Sequence, residues 1–177
     1  MDPRSEAKAS TLRATAATYL RIFATLNPDS ISHVIDEKKY KHVFAPASLN
    51  LPGPFDWATF VAHLAHMREL LRGFPVRPKQ TWPNPLLNQV VVWADSQAEF
   101  HEEVKDGDGN GEEGEDIWEF RGEYIWVLTM DANGEKVEQV LEFLDSKATD
   151  RMRELLARAS KRKEEVEGKK VKGVIDF

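Results

Sequence analysis

The stretch 117–145, IWEFRGEYIWVLTMDANGEKVEQVLEFLD, constrains the fold more than any other part of the chain. Two runs alternate apolar and polar residues with a period of two, and DANG (131–134) separates them, so they predict an antiparallel hairpin. On the first run the even positions Trp118, Phe120, Tyr124, Trp126, Leu128 and Met130 are apolar or aromatic and belong inside. The turn decides which residues of the second run join them. A three-residue loop with Gly134 in a left-handed bulge pairs Asp131 with Glu135 and Tyr124 with Glu142, which turns Val140, Glu142 and Leu144 inward. A two-residue turn shifts the register by one and puts Leu141 inside instead. The Asn-Gly pair suits either turn.

The register carries the chemistry. With Glu142 inside, one carboxylate sits among aromatic side chains, where it must be paired, hydrogen-bonded or protonated. An acid held in that way can act as a general acid or base. A structural hydrogen bond, or exposure to water in the other register, explains the same letter without chemistry. The opposite face then shows Ile125, Val127, Leu141 and Phe143 within a polar rim, the pattern of a sheet face that meets a second copy in a homodimer. A tail or helix of the same chain could cover it as well.

Upstream, Leu12, Ala16, Tyr19, Leu20, Phe23 and Leu26 recur at helical spacing and predict an amphipathic helix over 5–26. Asn27-Pro28 opens a short second helix through Val34. KYKHVFAP (39–46) reads as the first strand, and 47–55 as a loop. Asp56 caps a third helix with a buried stripe of Trp57, Phe60, Leu64, Met67 and Leu71, stopped by Gly73 and Pro75. Strands are expected at 76–82, 87–104, 117–130 and 136–145. Ser146 caps a final helix that frays into a charged tail at 161–177. Helices grouped against one face of an antiparallel sheet make an α+β domain, here 1–160.

Composition excludes several functions. The 177-residue chain has no cysteine, so disulfides, thiolate zinc sites and cysteine nucleophiles are ruled out. It has no G-x-S-x-G elbow and no phosphate-cradling glycine loop. The start, MDPRSEAKAS, lacks an apolar leader core, and no apolar run is long enough to span a bilayer, which predicts a cytoplasmic protein away from membranes. The net charge of −6 is concentrated at 102–116, which holds eight acids and one Lys. Within it Asp106, Asp108, Asn110 and Gly111 copy the opening of a calcium-binding EF-hand loop. Position twelve, however, is Ile117, which has no ligand oxygen, and a strand follows where a helix is required, so the segment reads as a hairpin loop. The basic residues of 151–172 have no aromatics interleaved to stack bases, which points away from nucleic acid. His63 and His66, three apart on the third helix, lack a third metal ligand and read as boundary residues. His42 and His101 are each placed where they can face a cavity, and His33 lies on a short surface helix.

Four stretches carry a family resemblance: TYLRIFATLNPDSISHVI, KYKHVFAPASL, DWATFVAHLAHMRELLRGF and EYIWVLTMDANGEKVEQVLEFLDSKATDRM. Over about 10–160 the layout resembles the nuclear transport factor two-like superfamily, and within it the SnoaL-like members found in fungi. That resemblance implies a cone-shaped, curved antiparallel sheet with three to four helices around an apolar pocket. It implies acid–base isomerisation, cyclisation or dehydration of polyketide- or terpenoid-type molecules in secondary metabolism, without metal or organic cofactor. Tyr124 and Glu142 match positions where catalytic residues occur in that group, which favours the bulged register, and His42 or His101 would assist. Tyr40, Trp57, Met67, Trp93, Trp118, Phe120 and Trp126 would wall the pocket. A dehydratase of the scytalone type would carry His near Gln80-Thr81 and on 117–130, and neither stretch has one. A binding module of the same fold, a small-molecule carrier or dimeric adaptor, is the competing reading.

Overall fold

The computed structural model describes residues 2–106 and 117–168. Its centre is a five-stranded sheet in the order β1–β7–β6–β4–β3, where β1 is Lys41–Ala45, β3 Val76–Asn84, β4 Gln89–Gln97, β6 Arg121–Met130 and β7 Val137–Leu144. All neighbours are antiparallel except β1, which runs parallel to β7. A second sheet of two short strands, β2 (Leu71–Gly73) and β5 (Glu99–Phe100), lies against the helices that precede it. Helices α1 (Pro3–Leu20), α2 (Ile22–Thr25) and α3 (Trp57–Arg68) cover the inner face, and α4 (Ser146–Glu167) follows β7. The α+β class and the cone of sheet and helices agree with the sequence reading.

Along β4 and β6 buried and less buried residues alternate without a break, the mark of a strand with one face on the core. Trp126, Val92 and Leu128 lie on that inner face and are almost fully buried. Helix α1 lies across it through Leu12, Ala16 and Tyr19. It is also tied to the hairpin turn, because the buried Thr15 hydroxyl donates to the Gly134 carbonyl at 2.7 Å.

Several boundaries differ from the sequence reading, each for a local reason. The first helix breaks at Arg21 and ends where Leu26 takes a left-handed conformation (φ 53°). Asn27-Pro28 opens two single 3-10 turns, Pro28–Ser30 and Ser32–Val34, in place of one helix. After Arg68 the chain enters β2, a strand that its Leu-Arg-Gly sequence does not advertise. The long strand expected over 87–104 stops at Gln97, and β5 and a 3-10 turn at Glu102–Val104 complete that span. The first strand of the hairpin starts at Arg121, and Trp118 precedes it. Asp145, not Ser146, caps α4, accepting from the amides of Lys147 and Ala148. That helix runs through 161–167 before Gly168 ends it in a left-handed conformation (φ 63°). Most of the acidic segment with the partial calcium motif, and the last residues of the basic tail, fall outside the described residues.

The hairpin register settles the position of Glu142. Gly134 takes positive φ (80°), as the bulged turn requires, but the turn is longer than three residues. The Asp131 carboxylate accepts from the amides of Glu135 and Lys136 at 2.8 and 3.0 Å, and Asp131 N–H donates to the Lys136 carbonyl. Together with a bulge between Thr129 and Met130, this pairs Glu142 with Trp126 and Tyr124 with Leu144. The expected partners were two residues off. An offset of two preserves the face, so Glu142 points inward.

Candidate active site

Glu142 is the sole buried acid among the described residues. Its strand places it beside Phe44 of β1 and Trp126 of β6. Oε2 lies 2.9 Å from Nε2 of His42, which is completely buried two residues before Phe44 on β1. No described residue donates to Oε1, and the carboxylate forms part of the wall of a cavity, so Oε1 is left to the cavity. This contact joins residues 100 positions apart and exists because β1 lies parallel against β7.

His42 is held from every side. Its amide donates to the Phe55 carbonyl and its carbonyl accepts from the Phe55 amide, at 2.8 and 2.9 Å. Its ring stacks on Phe60 with centroids 4.7 Å apart and planes 21° from parallel. Behind it, Nδ1 is 3.1 Å from the Tyr40 hydroxyl and 3.3 Å from the Tyr19 hydroxyl. Those two hydroxyls are 2.7 Å apart. Burial raises both phenol pKa values well above the usual tyrosine value, so both groups keep their protons.

The cavity has a volume of about 60 Å³, several times the roughly 10–15 Å³ that one water needs. Its walls are mainly aromatic, with Phe23, Phe44, Phe60, Phe74 and Phe120 drawn from five segments of the chain. Met67 of α3 and Met152 of α4 complete it with side chains that adapt their shape readily. The polar groups on its surface are Glu142, Tyr124, His63 and Thr149. Tyr124 stands edge-on to Phe74 with centroids 6.0 Å apart, and burial raises its phenol pKa, so it stays a hydrogen-bond donor at neutral pH. Gly122 makes room for it, since a Cβ there would come within 2.7 Å of the Tyr124 hydroxyl oxygen. His63 is buried among Phe44, Phe55 and Phe60, and that burial pulls its pKa down to about 4, leaving a neutral imidazole.

The structure thus gathers Glu142, Tyr124, Met67 and Phe120 at one cavity and puts His42 directly behind Glu142. Five residues expected as pocket walls lie elsewhere. Tyr40 is behind His42, and Trp57 packs edge-on against Tyr40 at 5.1 Å. Trp126 fills the core between Tyr19 and Phe23. Trp93 pairs with Ile125 and therefore faces outward, with Lys79 5.0 Å above its ring. Trp118 lies outside β6, between Phe100 and the Arg158 guanidinium. His101 is removed from the site altogether: it follows β5 and its Nε2 lies 3.1 Å from the Arg68 carbonyl. Conversely, His63 is no boundary residue. It falls on the inward side of α3 between Phe60 and Met67, a spacing visible in the sequence once the stripe is allowed a polar member. Tyr19 was legible only as one more aromatic on a helix stripe. Among the described residues no group of three or more His, Asp or Glu is placed to hold a metal ion, and no helix is long and apolar enough to cross a membrane.

This architecture is the cone-shaped α+β fold that the family resemblance implies, a curved sheet with helices over its inner face. Solved structures of that shape include the BvnE pinacolase from Penicillium brevicompactum (21% identity, 85% of this chain and 96% of that one, TM-score 0.69). PrhC from Penicillium brasilianum is similar over 89% of this chain and 97% of its own (12% identity, TM-score 0.68). AusH from Aspergillus nidulans is similar over 77% and 85% (19% identity, TM-score 0.61). No protein-family model and no curated protein matches the chain. At these identities the likeness establishes the fold, and the activity must be argued from the site.

Proposed function

We propose that the chain is an acid–base isomerase or cyclase for a hydrophobic small molecule of polyketide or terpenoid type, working in fungal secondary metabolism without metal or organic cofactor. The observation that carries this reading is the buried carboxylate of Glu142, fixed through Oε2 and with Oε1 left to an aromatic cavity. Oε1 would remove a proton from carbon beside a carbonyl group and return it elsewhere on the skeleton. The Tyr124 phenol would donate to the enolate-like oxygen that forms, and the aromatic walls would exclude water. The resemblance to a pinacolase, an enzyme by its name, supports turnover over simple carriage. The test is proton exchange in heavy water with a panel of hydrophobic cyclic ketones and 1,3-diketones, read by proton NMR. Deuterium entering beside the carbonyl faster with protein than without it supports the reading. Binding without exchange supports a carrier of the same fold.

A homodimer through the outer sheet face belongs to the same proposal. Directly paired residues make an apolar row across all five strands: Val43, Leu141, Val127, Val91 and Trp82. A second row holds Phe143, Ile125 and Trp93. Phe143, Trp82 and Leu141 are 48%, 44% and 40% exposed, unusual for side chains of that size. Val127→Glu, at the centre of the first row, is expected to move the sedimentation coefficient from dimer to monomer. An unchanged profile at the same concentration counts against this face.

A further inference from the structure

Counting protons in the buried cluster behind Glu142 assigns a state to His42. Tyr19, Tyr40 and Nδ1 of His42 form a closed triangle with edges of 2.7, 3.1 and 3.3 Å. Neither hydroxyl has another acceptor among the described residues, and both are sealed from solvent. Two O–H protons must therefore be accommodated within three edges. If Nδ1 is bare, one tyrosine donates to the other and the second donates to Nδ1, so both protons are satisfied. If Nδ1 carries a proton, it must donate to one hydroxyl oxygen, that hydroxyl donates to the other, and the last O–H has no acceptor. A buried donor left unpaired in this way is what folded proteins avoid.

We propose that Tyr19 and Tyr40 are positioning residues that hold His42 in the tautomer with Nδ1 accepting and Nε2–H donating to Oε2 of Glu142. Three consequences follow from the proton positions. The His42–Glu142 contact is a neutral imidazole donating to a carboxylate, not a pair of opposite charges. His42 has no spare site from which to take a proton without orphaning a tyrosine, so it orients and does not shuttle. Proton transfer is left to Oε1 of Glu142 alone. This role rests on Glu142 being the base proposed above, but the tautomer itself does not.

The redundancy of the triangle gives the assignment a sharp signature. In Tyr19→Phe, the Tyr40 hydroxyl still reaches Nδ1, and in Tyr40→Phe the Tyr19 hydroxyl does. The double variant leaves Nδ1 with no donor. The experiment is two-bond proton–nitrogen correlation NMR on protein with ¹⁵N-labelled histidine, with the His42 signals assigned by their loss in His42→Gln. The expected result is a bare Nδ1 and protonated Nε2 in the native chain and in both single variants, with the Nδ1 signal of the double variant moved downfield to that of an imine nitrogen without a hydrogen bond. A protonated Nδ1 in the native chain overturns the proposal. So does an unaltered Nδ1 shift in a double variant whose circular dichroism shows it folded. Measured in parallel, deuterium exchange is expected to drop roughly tenfold in the double variant and little in either single one, about the worth of one neutral hydrogen bond. If the native protein shows the assigned tautomer but catalyses no exchange, the tautomer stands and the reading of Glu142 as base falls.

Discussion

Glu142→Gln is expected to lower the rate of ketone deuterium exchange by about 10²–10⁴-fold, the usual contribution of a positioned general base. The amide keeps the size of the carboxyl group and an oxygen to accept from Nε2 of His42, so the cluster behind it stays intact. Melting temperature and circular dichroism should therefore change little while turnover is lost. Glu142→Leu separates the two roles. It fills a similar volume but leaves the buried His42 N–H without an acceptor, at a cost of about 1–3 kcal/mol in stability. Undiminished exchange in Glu142→Gln would remove the carboxylate from the mechanism. Loss of fold in that variant would instead make Glu142 a structural acid.

The second large effect concerns pH. His63 has its pKa pulled from 6.5 down to about 4 by burial, so between those values the unfolded chain binds a proton that the folded chain does not. Stability from this residue is therefore fully present above pH 6.5 and falls as the pH drops toward 4. Over that window the loss amounts to about 3 kcal/mol, from 1.36 kcal/mol per unit of pKa. Relative to the native chain, His63→Leu should gain stability on acidification by roughly that amount, read as the difference in urea midpoints at pH 4.5 and pH 7. Parallel pH profiles for the two proteins would mean that the His63 ring finds a partner for its charge. The same neutrality matters to the cavity. An uncharged imidazole in the cavity wall suits a ketone or hydroxyl better than a carboxylate.

What the sequence revealed follows from which interactions are local. Alternation in the hairpin is a period-two signal, and it put Trp126, Leu128 and Tyr124 on one face without any tertiary information. The side of Glu142 depended on a turn, and there Asp131 made the difference. Its carboxylate holds two amides and lengthens the loop, a choice that Asn-Gly alone does not encode. The pairing came out two residues away from the expected one and still left Glu142 inside. The contact between His42 and Glu142 was beyond reach because it depends on β1 docking parallel to β7, a long-range event with no local signature. Tyr19 is the clearest example of a polar contact hidden from the sequence. On a helix wheel it is simply apolar, and only the approach of Tyr40 and His42 gives its hydroxyl a partner. Tryptophans misled for the opposite reason. Trp93 and Trp118 look like pocket walls by type, whereas strand parity turns one outward and the late start of β6 puts the other beside Phe100.

On the proposed function, a hydrophobic molecule entering the cavity meets the free oxygen of Glu142. This can be tested without knowing the substrate, by exposing the folded protein to an aryl epoxide and mapping the adducts by peptide mass spectrometry. A carboxylate oxygen opens the epoxide ring and forms an ester. The chain has 30 acidic residues, and among the described ones Glu142 alone is buried, so solvent access would favour almost any other. One dominant adduct on Glu142, with parallel loss of exchange activity, is the expected result. Adducts spread over exposed acids such as Glu119 and Glu154, with Glu142 unmodified, would contradict it.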